Sequence, residues 1–376
     1  MPQPRISIGM TVPPTPPLGS LKQIIWVARL LRLDSLVVWD HLQDLFPTAL
    51  WDNDFTWLAK ERPSPHEFYD FQTILGYIAG RAGRLQIGVA VTEPIRRHPI
   101  LIAQSLITLS QLTKKPPILG IGAGERENIE PFGFDWSHPV GKVEEALQIF
   151  RLCFGQRGPI TFQGKHFQID DAPMDLRPPK NRTPRIWVGA HGPRMLRLTG
   201  AYGDAWYPVG LMLPDEYAEK LEVVRTAARE AGRKPDDVLP SLNAYVVVAP
   251  TREEARAMID TKVIRYLGVL APAEMWRKIG RTHPLGDDFR GHVDVLPHRF
   301  TRDEFDDLIA RVPTELSDQG LIWGTPADVA AQLRTYGEAG LRHAILQIAS
   351  AAISRKAALY SARALRAIAK ELHSTR

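Results

Sequence analysis

His41 and Glu125 are the side chains of this sequence best suited by type and context to move a proton. His41 follows Asp40 at the end of the apolar run Ser35-Leu36-Val37-Val38-Trp39, and Glu125 closes the glycine-rich run Gly120-Ile121-Gly122-Ala123-Gly124. An imidazole titrates close to neutral pH and can donate a proton there. A glutamate in a partly closed mouth has its pKa raised toward the same range. Asp40 could accept hydrogen bonds from a bound ring or hold His41 in one orientation. Each residue also has a plain reading: a histidine that caps a strand, a solvated loop glutamate, an aspartate in ordinary turn chemistry.

Two further motifs suggest ligand contact. The glycine run falls short of a dinucleotide fingerprint, because Glu125 stands where the third glycine is needed. Close backbone approach to a flat ligand is a better use of those glycines, with simple strand-to-loop geometry as the alternative. Gly192-Pro193 opens a helix beside Arg194, where free N–H groups could hold a phosphate, although many helix starts carry no ligand. Other chemistries find no support. The eleven histidines show no metal-ligand spacing, so no metal is expected. No Gly-x-Ser-x-Gly elbow or phosphate-binding Gly-Lys-Ser/Thr loop occurs.

Composition narrows the class further. The chain has 376 residues, 44% hydrophobic and 24% charged, which argues for a packed protein and against disorder. Its net charge of +5 suits an anionic ligand but falls far short of a nucleic-acid footprint, so no nucleic-acid partner is expected. Cys153 is the sole cysteine and excludes an intrachain disulfide framework. No apolar run of ~18 residues predicts a membrane span, and the start from Met1 to Arg5 lacks the apolar core of a signal peptide. A cytoplasmic homodimer is the expectation. The basic residues Arg177, Lys180, Arg182 and Arg185 read as a solvated loop, and Arg355, Lys356, Arg363, Arg366 and Lys370 as the wet face of the last helix.

The elements that must position these groups alternate along the chain. Strands are predicted at Ile6–Val12, Ser35–Trp39, Leu85–Val91, Pro117–Gly122, Arg185–Gly189, Ala205–Tyr207, Leu242–Val248 and His343–Ile348. Helices are predicted at Leu18–Leu33, Phe68–Gly80, from His98-Pro99, Lys142–Phe154, Pro193–Tyr202, Pro214–Gly232, from Thr325-Pro326-Ala327-Asp328 to Ala339, and Ser354–Leu372. A hairpin is expected over Pro159–Ile169. Eight strand–helix units predict an α/β fold of the (β/α)₈ TIM-barrel type rather than an open sheet. The chain then forms one domain over residues 1–376, with insertion segments at about 43–66 and 270–321.

Reactive groups of such a barrel gather at the C-terminal ends of its strands. There the sequence places Asp40-His41, Val91-Thr92-Glu93-Pro94, Gly124-Glu125 with Asn128, and Ala190-His191-Gly192-Pro193. Together with Gly324-Thr325-Pro326-Ala327-Asp328-Val329, these runs resemble the luciferase-like flavin/deazaflavin superfamily. The Asp-His pair and the Gly-x-Gly-Glu-x-x-Asn run resemble its branch that uses coenzyme F420. Trp39-Asp40-His41-Leu42, Leu119-Gly120-Ile121-Gly122, Gly124-Glu125-Arg126-Glu127, Ala190 to Arg197 and His283-Pro284-Leu285-Gly286 are similar to the mycobacterial phthiodiolone ketoreductase group.

The resemblance implies that His41 and Glu125 take the acid/base positions. It also implies a non-proline cis peptide at Ala90-Val91 behind the cofactor. Asp40, Thr92, Glu93, Ala123, Gly124, Asn128, His191, Gly192, Arg194 and Met195 would contact the ring or its phosphate tail. The implied reaction is hydride transfer between the deazaflavin and a carbonyl/alcohol carbon. Leu45 stands where the sugar-phosphate dehydrogenase of the branch has tryptophan, and that enzyme's phosphate grip is not recognisable, so glucose 6-phosphate is not expected. A small-molecule or lipid substrate of apolar character suits Leu45, Phe46 and Trp51, with Phe55 and Trp57 nearby. The same aromatics could equally be lid packing or a dimer contact. The alternatives are an FMN-dependent monooxygenase on the same barrel, and a barrel that only sequesters cofactor or lipid.

Overall fold

The computed structural model describes residues 5–210 and 212–373; Met1–Pro4, read above for a leader, lie outside them. In chain order the elements of the first half are β1 (Ser7–Val12), α1 (Leu18–Leu30), β2 (Ser35–Val38), α2 (Phe71–Ala82), β3 (Gln86–Thr92), α3 (Pro99–Leu112), β4 (Ile118–Ile121) and α4 (Pro139–Gly155). A hairpin of β5 (Ile160–Gln163) and β6 (Gln168–Ala172) follows, then β7 (Arg185–Val188), α5 (Pro193–Tyr202), β8 (Ala205–Trp206), α6 (Pro214–Glu230) and β9 (Leu239–Val248). Next come α7 (Arg252–Ile259), α8 (Lys262–Val269), α9 (Ala273–Lys278), α10 (Arg302–Ala310), β10 (Ile322–Gly324), α11 (Pro326–Glu338), β11 (His343–Ile348) and α12 (Arg355–His373).

Strands β1, β2, β3, β4, β7, β8, β9 and β11 pair in parallel and close on themselves as a (β/α)₈ barrel. Parallel strands buried on both faces explain the continuous apolar runs seen in the sequence. Inside the barrel, Val37, Ala90, Ile118, Trp187, Ala205, Tyr207 and Ile345 form a separate core from the larger one between strands and helices. Helix starts follow their local chemistry. Thr325 accepts from the Asp328 N–H while the Asp328 carboxylate accepts from the Thr325 N–H at 2.9 Å, a reciprocal cap on α11.

The lower part of the barrel carries a buried polar pair, Ser35 Oγ and His343 Nε2, 2.8 Å apart, with the Trp187 ring edge-on to the imidazole. Burial pushes the His343 pKa down to about 4. Below the ordinary value near 6.5 the unfolded chain gains a proton that the native chain refuses until about pH 4. Native stability is therefore expected to fall as pH drops through that window. Urea melts at pH 7 and pH 4.5 check this, and His343→Asn should flatten the difference between them.

The two excursions leave the barrel and meet each other. Leu50 and Phe55 from the first pack with Ile264, Tyr266, Val269, Trp276 and Phe305 from the second into a core of their own. Ile259 of α7 and Val263, Ile264, Tyr266 and Val269 of α8 also belong to that outer core, ahead of the segment from about residue 270. The chain re-enters the sheet through β10, an unexpected strand beside the end of β9 with Ile322 opposite Val246. Arg182 donates to the Thr113 carbonyl at 2.7 Å, so the basic loop is tied to the barrel's lower rim rather than merely solvated. Among the described residues no helix is long and apolar enough to cross a membrane.

Candidate active site

The strand ends that the sequence singled out converge on one mouth, beneath the outer core. His41 leaves β2 with its ring against Trp39 at 5.5 Å and Phe68 at 5.6 Å between centroids. Its Nε2 lies 3.3 Å from Glu125 Oε2, across from the end of β4. The other oxygen of Glu125 is 3.6 Å from Nε2 of His292, on the short turn Gly291–Val293 of the second excursion. One carboxylate thus sits between two imidazoles. His41 Nδ1 is buried without a protein partner, so Asp40 does not orient the ring as one sequence reading allowed.

Asp40 instead anchors a buried ion cluster below the mouth. Its carboxylate accepts from Thr92 Oγ1 at 2.6 Å and from Arg97 at 2.8 and 3.0 Å, and Arg96 lies 3.1 Å away. Arg96 also donates to the Asp40 carbonyl at 2.7 Å and pairs with Glu93. Glu93 in turn accepts the Arg96 N–H at 3.1 Å, and Arg97 reaches Asp70 at 2.8 Å. The side chains of Asp40, Thr92 and Glu93 are therefore tied to one another and to Arg96 and Arg97.

Asn128 is tied in the same way. Its Oδ1 accepts from the N–H groups of Leu42 at 2.7 Å and Gln43 at 3.0 Å, while Nδ2 donates to Glu127 Oε1 at 3.1 Å. The amide braces the β2 loop to the β4 loop.

The upper lumen offers what the frame does not. Thr11 Oγ1, Tyr207 OH and Asn243 Oδ1 are buried and lack a protein partner. All three stand on inward-facing positions: Thr11 pairs with Val37, Asn243 with Ile345, and Tyr207 lies two residues beyond Ala205. Buried polar groups are normally satisfied, so this set fits a ligand with several polar atoms in its ring. The peptide bond between Ala90 and Val91 is cis, and Val91 packs against the lumen core beneath them. Gly122 and Gly189 flank Val91; a Cβ at either would come within 3.1 and 3.4 Å of its methyls.

The start of α5 is open to solvent. Gly192 is its N-cap and supplies no side-chain cap, leaving the first-turn N–H groups of Arg194 and Met195 without one. A Cβ on Gly192 would meet nothing within 4 Å. The Arg194 guanidinium turns outward to Glu144 at 2.6 Å, and the Met195 side chain packs in the main core. Of these two residues, the backbone N–H groups rather than the side chains are left open at the helix start. His191 is exposed beside them, and Gly124 takes a positive φ of 81° at the turn into Glu125, with Ala123 half-buried before it.

Phe46 is edge-on to Phe55 at 5.4 Å and near Tyr266 at 6.0 Å, Trp51 donates to the Arg62 carbonyl at 3.0 Å, and the Leu45 carbonyl accepts from Tyr266 OH at 2.7 Å. Half-buried Leu45 and Phe46 pack against the outer core, Trp51 lies beside Phe46 at 6.3 Å between ring centroids, and Phe55 is internal to that core. The groups missed from sequence are Asp44, Glu127 and His292 beside the acid/base pair, Arg96 and Arg97 in the frame, and Thr11, Tyr207 and Asn243 in the lumen. The alternation along β9 could have revealed Asn243; nothing in sequence could have brought His292 to Glu125.

A closed parallel barrel with a histidine–carboxylate contact at its mouth and buried polar groups in its upper lumen is the architecture of a barrel enzyme. The chain belongs to the luciferase-like monooxygenase family, which matches residues 53–343. It is 38% identical over 331 residues to the phthiodiolone/phenolphthiodiolone dimycocerosates ketoreductase of Mycobacterium kansasii, covering 85% of this chain and 90% of that one. Among solved structures it superposes on an F420-dependent secondary alcohol dehydrogenase in complex with an F420-acetone adduct, with TM-score 0.73, 20% identity and coverage of 97% and 99%. A riboflavin lyase with modified FMN shares the fold at TM-score 0.70 and 14% identity, covering 98% of this chain and 92% of that one. The chain is an oxidoreductase of this family.

Proposed function

We propose that this chain is a coenzyme F420-dependent oxidoreductase that interconverts a ketone and an alcohol on a predominantly apolar substrate. The observation that carries the reading is the His41–Glu125 contact at the barrel mouth, 3.3 Å long and next to unpartnered lumen groups. The named relatives supply the choice of cofactor and reaction. A deazaflavin bound there supplies the carbon that gives or takes a hydride. Ala90, Val91, Ala123, Gly124 and His191 would bound its ring. Gly192 and the N–H groups of Arg194 and Met195 would meet its phosphate.

The protein's own task is to manage one proton. His41 Nε2 or Glu125 Oε2 holds the proton that a carbonyl oxygen takes up and recovers it in the reverse direction. The aromatic walls of Trp39 and Phe68 keep His41 in place and away from bulk water. Asp40, Thr92, Glu93 and Asn128 act from below by fixing the loops that carry the lining. The underside of the outer core, with Leu45, Phe46 and Trp51, is the apolar side from which the substrate would enter. In this reading the protein works in the cytoplasm as a homodimer, and Trp26, Leu30, Leu101 and Leu112 are large exposed apolar side chains available to an interface.

Titrating the purified protein with coenzyme F420 and, separately, with FMN tests the assignment through the cofactors' own absorbance and fluorescence. Saturable binding of F420 is expected. Tight FMN binding with no affinity for F420 would favour the monooxygenase reading instead.

A further inference from the structure

Glu127 is a buried carboxyl group that none of the preceding roles uses. It lies in the short turn Arg126–Asn128 after β4 and is wholly inaccessible to solvent. Its Oε1 accepts from Asn128 Nδ2 at 3.1 Å, and its Oε2 has no partner in the protein. Its backbone carbonyl is held by Gln43 Nε2. A carboxylate oxygen of Glu127, one of Glu125 and a ring nitrogen of His41 all lie within 4.8 Å of one another. Two side chains and a well-placed water, or one rotamer change, span such a distance.

Burial and the groups facing Glu127 together set its protonation. Glu125 and Asp44 approach it as acids, Tyr266 faces it as a phenol from the outer core, and His41 stands across the trio. Arg62 lies toward Asp44, and Arg126 is committed to Glu130 at 2.9 Å. Among the described residues no lysine or arginine forms an ion pair with Glu127. An unpaired carboxylate in such surroundings is costly, whereas the neutral acid gives Oε2 a proton to donate. Burial, then the neighbouring Glu125 and Asp44, push its pKa well above the ordinary carboxyl value.

We propose that Glu127 is the proton store of this site, a neutral carboxylic acid that recharges the His41–Glu125 pair after it has given its proton to the substrate. The proposal rests on the acid/base reading of that pair. In the forward direction the O–H bond of Glu127 breaks, an O–H forms on Glu125 or an N–H on His41, and Glu127 becomes a carboxylate. Solvent returns a proton through the partly exposed His292, 3.6 Å from Glu125 Oε1, to Glu125, whose O–H then breaks as the O–H of Glu127 re-forms. No electrons move in this relay, and alcohol oxidation runs it backwards.

Infrared spectroscopy of the protein without cofactor tests the protonation independently of turnover. A protonated-carboxyl C=O band is expected at pH 7, absent in Glu127→Gln and retained in Glu125→Gln. No such band, or one lost with Glu125→Gln alone, overturns the proposal. So does stoichiometric Zn²⁺ uptake that Glu127→Gln abolishes, because the trio would then be a metal site. For ketone reduction with F420, Glu127→Gln is expected to lower kcat by at least about 10-fold and to alter its pH profile, with KM nearly unchanged. The amide keeps the shape and the Asn128 contact, so an unchanged pH profile would reduce Glu127 to a structural role. Wild-type protein that turns over no carbonyl substrate would refute the functional reading but leave the infrared result to decide the store. If Glu127→Gln does not fold, band assignment by pH titration of wild type and Glu125→Gln decides it.

Discussion

Glu125→Gln is expected to slow ketone reduction by about 10²–10⁴-fold in kcat while leaving cofactor affinity within a few-fold. The amide fills the same space between His41 and His292 but cannot exchange a proton at pH 7. His41→Ala should fall in the same range, because its Nε2 is the atom that meets Glu125 Oε2. If the two act as one unit, the double variant should cost little more than the worse single one. Steady-state kinetics on the four proteins, with F420 affinity measured separately, check this. Equal and additive losses in affinity would place both residues in binding and not in proton transfer.

Arg96→Leu should have the largest effect on stability. The guanidinium is 5% exposed and touches Asp40 and Glu93, whose side chains are 3% and 4% exposed. Breaking a buried pair from one side leaves uncompensated charge and costs about 3–5 kcal/mol. Here two carboxylates lose a partner at once, although Arg97 still holds Asp40. Arg97 is 21% exposed and shares its charge with Asp70, so Arg97→Ala should cost clearly less. Arg96→Lys should not restore the loss, since an ammonium cannot span Glu93 and the Asp40 carboxylate and carbonyl with one planar group. Urea unfolding followed by tryptophan fluorescence gives the three values. A loss below about 1 kcal/mol for Arg96→Leu would show that the cluster is not what fixes the β2 and β3 ends.

The barrel was legible because its information is local. Runs buried on both faces, Pro193 and the Thr325–Asp328 cap at helix starts, and glycines at strand ends all act within a few residues. The predicted bounds of α5 and β11 coincide with those observed. The outer core was not legible, because it joins Tyr266 of α8 to Phe55 of a distant loop.

The site divides along the same line. The strand-end rule located His41 and Glu125, yet residue type alone could not say that Asp40, Thr92, Glu93 and Asn128 point into the frame. For Asp40, Thr92 and Glu93 that outcome depends on Arg96 and Arg97 turning back under the mouth, and for Asn128 on the N–H groups of Leu42 and Gln43. His292 reaches Glu125 only after the second excursion folds over the barrel. Glu127, two residues past Glu125, is turned inward by one tight turn.

Anaerobic mixing of the protein with chemically reduced coenzyme F420 and a long-chain ketone tests the account most directly. The prediction is reoxidation of the cofactor in step with formation of the alcohol, with deuterium delivered from the labelled cofactor carbon to the carbonyl carbon. Reoxidation that requires oxygen and FMN, or no transfer of label to the alcohol, would contradict it.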